Sequence, residues 1–188
     1  MAGQMSLANH FLVAMPAQDD LIFSETVIYI CDYHELGTVG LIINRPTEFS
    51  IKLLVDNLDL NITTSSIQEK PLMFGGPVQP ERGFVIHRPL GNWRSSLLLL
   101  KDDVTVTTSS DIITSIVNGN GPKDSLVALG YVGWDSAQLE QEIVDNYWLV
   151  CPFKAELLYD VPFDKRWKEA GLTLGVHMEN LISGGGHA

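Results

Sequence analysis

The sequence predicts an α+β chain, a mixed use of strands and helices, and three observations carry that reading. Short apolar runs rich in β-branched residues come in pairs separated by polar turns, as at 26–31 and 39–43. Amphipathic stretches at helical spacing follow some of these runs, among them Ile51, Leu54, Val55 and Leu58. The alternation has no regular strand–helix–strand period, so a uniform parallel sheet is not expected.

Residues 11–15 are a short apolar run stopped by Pro16, and this is the first predicted strand; Asp19 and Asp20 fall in the polar loop after it. TVIYIC at 26–31 and the run at 39–43 read as a hairpin turned by the polar segment 33–37. Asn44, Arg45 and Pro46 end the second strand, and Ser50 is a suitable N-cap for the helix that follows. The polar segment 61–70 reads as a loop. Residues 71–74 form a strand entering Gly75-Gly76-Pro77, and 83–87 form another. Residues 97–100 and 104–107 flank Lys101-Asp102-Asp103 as a second hairpin. Ser109 or Ser110 then caps a helix carrying Ile112, Ile113, Ile116 and Val117, which Asn118-Gly119 stops.

The stretch 130–143, GYVGWDSAQLEQEI, is the most informative. Leu126 to Leu129 with Val132 suit a strand covered on both faces, and Gly133-Trp134 reads as the turn that stops it. Asp135 sits where an N-cap belongs, with Gln138 at the spacing of a capping box. Leu139 and Ile143 share one helix face, leaving Glu140, Glu142 and Asp145 to the others. An anion at this helix start is disfavoured, because Asp135 satisfies the amides and repels phosphate. Beyond it come a strand at 147–151 closed by Pro152, a short strand at 157–159, and a last helix capped by Asp164 that ends near Gly171. The chain is expected to form a single domain over residues 1–176, with a disordered Gly-rich tail at 177–188. GLIINRP at 40–46 and GFVIHRP at 83–89 echo each other, suggesting two strands that end alike and neighbour one another in a sheet. Seven residues are too few to establish a duplication, but they leave a two-lobed version open.

A formal net charge of −11, from 12 Lys and Arg against 23 Asp and Glu, disfavours direct binding to nucleic acid or to anionic membrane. The densest basic cluster, Lys165, Arg166 and Lys168 around Trp167, reads as a solvated helix face. Cys31 and Cys151 lie in apolar runs and are expected to be free buried thiols in a reducing cytoplasm, although a disulfide stays open if their strands are neighbours. The start of the chain lacks a charged segment followed by a long apolar core, and no apolar run approaches bilayer length. A cytoplasmic location is expected.

Motifs that carry chemistry are absent. There is no P-loop, no H-E-x-x-H, no C-x-x-C and no G-x-S-x-G elbow. Asp32, His34 and Glu35 cluster in CDYHE, a pattern more often solvated loop than metal site, so neither metal nor cofactor is expected. His87 is the best general-base candidate, although a hydrogen bond that fixes its strand exit is the plainer role. Trp148 reads as core. Trp134 lies at a strand end beside a helix start, where open sheets place ligands, and there a pocket is expected. The candidate pocket residues are Asn44, Gly75, Gly76, His87, Trp134 and Gln138; no catalytic residue is assigned.

Taken together, FLVAMP, GLIINRP, FGGPV, GFVIHRP, VTTSSDI and GYVGWDSAQLEQEI resemble the AlgH/YqgE family of bacteria. The likeness covers nearly the whole chain in family order, and only the Gly-rich tail lies outside it. It implies a compact fold of coiled, bifurcated β-sheets with helices, not a Rossmann fold. It also implies a regulator of transcription, a genetic label rather than a chemical one. The family has no agreed catalytic residues, so none transfers. Three functions follow as expectations: a regulatory module acting through protein partners, a small-molecule sensor or unrecognised enzyme, and a direct DNA-binding regulator. The first is favoured and the last is ranked lowest, since phosphate binding draws on Lys and Arg that are sparse here.

Overall fold

A computed structural model describes residues 6–61, 69–98 and 104–183. The chain is α+β and folds as two compact units. One comprises Met1–Asn44 with Val132–Ala188, the other Arg45–Tyr131. Among the described residues no helix is long and apolar enough to cross a membrane.

The first unit is built on an antiparallel sheet. Its strands are β1 (His10–Ala14), β2 (Val27–His34), β3 (Gly37–Ile42), the end of β9 (Asp124–Asp135) and β10 (Trp148–Pro152), in the order β10-β1-β2-β3-β9. Phe11 to Ala14 and Val27 to Ile30 are wholly buried, as expected of strands covered on both faces. The hairpin expected over 26–43 is present but tighter. β2 runs on to His34, leaving only Glu35 and Leu36 between the strands, so Asp32 and His34 are strand residues rather than loop. Gly37 makes this possible, since a Cβ there would collide with the Trp134 carbonyl oxygen. β1 separates the strands that carry Cys31 and Cys151, and both thiols are free and buried. Burial, reinforced by Asp32, pushes the Cys31 thiol up to about 12.

Among the described residues four α-helices complete this unit, α3 (Gln138–Val144), α4 (Ala155–Tyr159), α5 (Arg166–Thr173) and α6 (Met178–Ser183), with a 3-10 turn at Phe163–Lys165 leading into α5. Two of them correct the sequence reading. Residues 157–159, expected as a strand, belong to α4, whose five residues are too few to reveal a period. Within the segment expected to be a disordered tail, Met178–Ser183 is helical and Met178 is buried against Gly171, where any Cβ would strike its side chain. Gly171 is thus a packing position two residues before the end of α5, close to where the helix is expected to stop.

Arg166 departs furthest from expectation. It is 2% exposed rather than on a solvated face. Its Nε donates to the Val161 carbonyl at 2.9 Å, its guanidinium also donates to the Ile43 carbonyl, and its plane lies 4.6 Å from the Phe163 ring centroid. Burial lowers its pKa to about 10, with Asp160 opposing, so it stays charged at neutral pH. The neighbouring Trp167 donates its indole N–H to the Ala14 carbonyl at 2.8 Å, anchoring α5 on β1.

The second unit holds a mixed sheet. Its strands are β4 (Pro46–Ser50), β5 (Pro71–Phe74), β6 (Val78–Arg88), β7 (Ser96–Leu98), β8 (Thr105–Thr107) and the first part of β9. β5 runs parallel to β9, and the remaining pairs, β4–β5, β6–β9, β6–β8 and β7–β8, are antiparallel. Helices α1 (Ile51–Asn57) and α2 (Asp111–Val117) bring Ile51, Val55, Ile112 and Ile116 into one core with Leu72, Val85 and Val127. The capping serines sit at the expected positions but make no side-chain cap bonds; the Ile51 N–H instead donates to the Lys70 carbonyl at 3.0 Å. The turn expected at 101–103 lies outside the described residues.

The echoed strands are not neighbours. Gly37 to Gly40 pair with the end of β9, from Val132 to Asp135, whereas Gly83 to Arg88 pair with its earlier residues, Asp124 to Leu129.

Candidate functional site

The end of β9, the start of α3 and the start of β10 meet around one carboxylate. β9 does not stop at Gly133-Trp134 as expected; it continues paired with β3 to Asp135, and strand alternation turns Val132 and Trp134 to the same buried face. The chain then reverses through Ala137, held in the left-handed region at φ 62°, which takes the N-cap position expected of Asp135. Half of the expected capping box survives: Gln138 Oε1 accepts the Asp135 N–H at 3.0 Å.

From Gln138 the helical spacing of four brings Glu142 alongside, and Gln138 Nε2 donates to Glu142 Oε1 at 3.0 Å. The other oxygen, Oε2, accepts the indole N–H groups of both Trp134 and Trp148, each at 2.8 Å. A carboxylate offers only acceptors, and here three N–H donors converge on it. The two indoles meet edge to face with centroids 6.2 Å apart, and Phe23 packs on Trp148 in the same manner at 6.0 Å.

A cleft of about 340 Å³ opens beside this cluster, with Gln18, Asp19, Asp20, Phe23 and Tyr147 among its lining residues. The loop after β1 supplies its far side. Asp20 Oδ1 accepts the Ile22 N–H at 2.7 Å and the Phe23 N–H at 3.3 Å, an Asx turn that sets Phe23 against Trp148. The Met15 N–H donates to the Tyr147 carbonyl at 2.9 Å and ties the loop's origin to β10. This cleft adjoins Trp134, where a ligand pocket is expected. It is acidic and aromatic, and among the described residues no Lys or Arg lines it.

A second, larger cleft of about 460 Å³ in the same unit is lined by Tyr33, His34, Glu35, Ser136 and Glu140 with Ser6 and Ala137. Its histidine is not set up as a base for either serine. His34 Nδ1 accepts the Leu36 N–H at 3.2 Å, while Nε2 faces Asp32 at 3.5 Å. The Tyr33 hydroxyl donates to Glu140 at 2.6 Å. We take the smaller cleft as the site because four aromatic rings give it a rigid apolar wall.

The six candidates part company. Trp134 and Gln138 belong to the cleft. Asn44 is a backbone clamp: its Oδ1 accepts the Val27 N–H and its Nδ2 donates to the Glu25 carbonyl, both at 2.9 Å. Gly75 and Gly76 form a seam with Gly130. A Cβ at Gly75 would overlap the Gly130 carbonyl oxygen, one at Gly130 would overlap that of Gly76, and the Gly75 N–H donates to the Leu129 carbonyl at 2.8 Å.

His87 is wholly buried. Its Nε2 lies 2.8 Å from the Thr107 hydroxyl and its Nδ1 3.2 Å from the Pro89 carbonyl, which places a proton on Nδ1. Burial lowers its pKa, with the Pro89 carbonyl opposing. With both nitrogens engaged it fixes the end of β6, the plainer of the two roles expected for it. Among the described residues no group of three His, Cys, Asp or Glu is placed to hold a metal ion.

The AlgH-like family matches residues 11–179. The chain belongs to that family. A UPF0301 protein of Legionella pneumophila is 55% identical over the full length of both chains, and one of Chromobacterium violaceum is 42% identical over 98% of each. The solution structure of the AlgH protein from Pseudomonas aeruginosa superposes with a TM-score of 0.81 at 38% identity, covering 100% of this chain and 99% of that one. A Corynebacterium diphtheriae protein shares the fold at 18% identity, with a TM-score of 0.69 over 90% of this chain and 87% of its own.

In this AlgH-like chain the residue that organises the cleft, Glu142, is only faintly marked in the sequence. It reads as one of three acids on a solvent face. The one signal was its spacing of four from Gln138, which pairs two polar residues on a single helix face. Asp19, Asp20 and Tyr147 reach the cleft only through the pairing of β1 with β10.

Proposed function

We propose that this chain is a regulatory protein-interaction module of the cytoplasm, with the cleft beside Trp134 as its docking face. Leu21 carries the reading. It is 92% exposed and stands between Asp20 and Phe23, both lining residues; Ile22 is 38% exposed, and Tyr147 in the wall is 43% exposed. Single exposed apolar side chains are ordinary, but three in and beside one aromatic cleft make a surface suited to a partner. The free buried thiols suit a reducing compartment. Any effect on transcription then runs through protein contacts, in keeping with a net charge of −11 that disfavours DNA.

A small-molecule sensor is the second reading, favoured by the cleft's size. About 340 Å³ falls at the lower end of the roughly 300–1,000 Å³ typical of ligand pockets. Native mass spectrometry of the protein isolated gently from its own cells separates the two. A stoichiometric protein complex that Leu21→Asp dissociates without unfolding the chain supports docking. A bound small mass that Leu21→Asp leaves in place contradicts docking and favours the sensor.

A further inference from the structure

We infer that the cleft seats the guanidinium of an arginine flanked by apolar residues of the partner protein. This deepens the docking proposal and rests on it. The two indole N–H groups and an amide N–H of Gln138 are turned onto Glu142, so these conspicuous donors do not face a ligand. A carboxylate or phosphate ligand would therefore meet carboxylates instead. Asp19, Asp20 and Glu142 line the cleft with no Lys or Arg among the described residues, and the whole chain carries −11, which steers a basic partner toward it.

Phe23 and Tyr147 supply accessible aromatic surface, backed by the buried Trp134 and Trp148, and a planar, weakly hydrated guanidinium stacks on such rings while pairing with carboxylates through a forked set of donors. An ammonium group is more strongly hydrated and has no such plane. Leu21 and Ile22, exposed beside the lining residues, offer contact to apolar side chains flanking the arginine.

The test uses the full-length protein and an end-capped Leu-Arg-Leu tripeptide, read through the tryptophan indole resonances in ¹⁵N NMR. The expected result is saturable movement of the Trp134 and Trp148 signals, with those of Trp93 and Trp167 unchanged. The matched citrulline peptide should bind about tenfold more weakly, the scale of losing charge assistance from the hydrogen bonds. Asp19→Asn, an exposed substitution, should weaken the arginine peptide about threefold and leave the citrulline peptide unaffected. Equal binding of both peptides, or no movement of either indole signal, overturns the inference. Methylguanidinium binding as tightly as the tripeptide assigns the site to a free guanidine and also overturns it. If a partner complex dissociated by Leu21→Asp is insensitive to Asp19→Asn, arginine recognition fails while docking stands; absence of any Leu21-dependent complex removes docking itself.

Discussion

Trp134 and Trp148 donate their indole N–H groups to the same oxygen, Oε2 of Glu142, each at 2.8 Å. Both indoles are buried and lie on different strands, so one helix residue ties the end of β9 to the start of β10. Replacing Glu142 with leucine removes the shared acceptor and leaves two buried donors without it. Each unsatisfied group costs roughly 1–3 kcal/mol, so losing the acceptor of both indoles in Glu142→Leu should destabilise the fold by about 2–6 kcal/mol. Glu142→Gln keeps one oxygen and should recover about half of the loss. Urea unfolding followed by tryptophan fluorescence measures this, with an unchanged m-value expected.

The glycine seam is a matter of backbone contact rather than ligand chemistry. Gly75→Ala and Gly130→Ala should each cost at least about 3 kcal/mol, because the added Cβ meets a carbonyl that cannot rotate away, and Gly130 also sits at φ 74°. Gly83→Ala on β6 is the control. Nothing lies within 4 Å of its Cβ position, and the change should be neutral or stabilising by about 0.5 kcal/mol. Equal losses at Gly75 and Gly83 in chemical denaturation would refute the seam.

His87 gives the protein a pH response of definite sign. Burial lowers its folded pKa below the unfolded value near 6.5, so on acidification the unfolded chain takes up a proton that the folded chain refuses. Its contribution is complete above about pH 6.5 and is lost as pH falls from there toward the depressed folded value. The slope attributable to this group reaches at most about 1.4 kcal/mol per pH unit. His87→Asn should be less stable at pH 7.5, yet the gap to the wild type should narrow by pH 5.5. A gap that widens on acidification contradicts the buried neutral ring.

Where side-chain periodicity governs an element, the sequence disclosed it. The β2–β3 hairpin and helices α1 and α2 follow from apolar runs that their cores absorb, Val27 to Ile30 in one unit and Ile51, Val55, Ile112 and Ile116 in the other. β4 leaves no signal in the sequence because PTEFS begins with proline, is largely exposed and shows no alternation. α6 leaves none because MENLIS precedes a glycine run that reads as a tail, and only its packing on Gly171 reveals it. Arg166 reads as a surface charge because its acceptors are backbone carbonyls, which no residue pattern announces. The site divides in the same way. Trp134 and Gln138 were visible from the strand-to-helix junction, whereas Asp19, Asp20 and Tyr147 depend on which strands pair.

Site-specific photo-crosslinking in living cells tests the central claim, that the cleft beside Trp134 is a protein-docking face, most directly. Benzoylphenylalanine replaces Leu21 in one strain and Leu172, an exposed residue of α5, in another. The docking account predicts a discrete protein adduct from position 21 that Tyr147→Ser abolishes, with none from position 172. No adduct at position 21, or the same adducts from both positions, would contradict it.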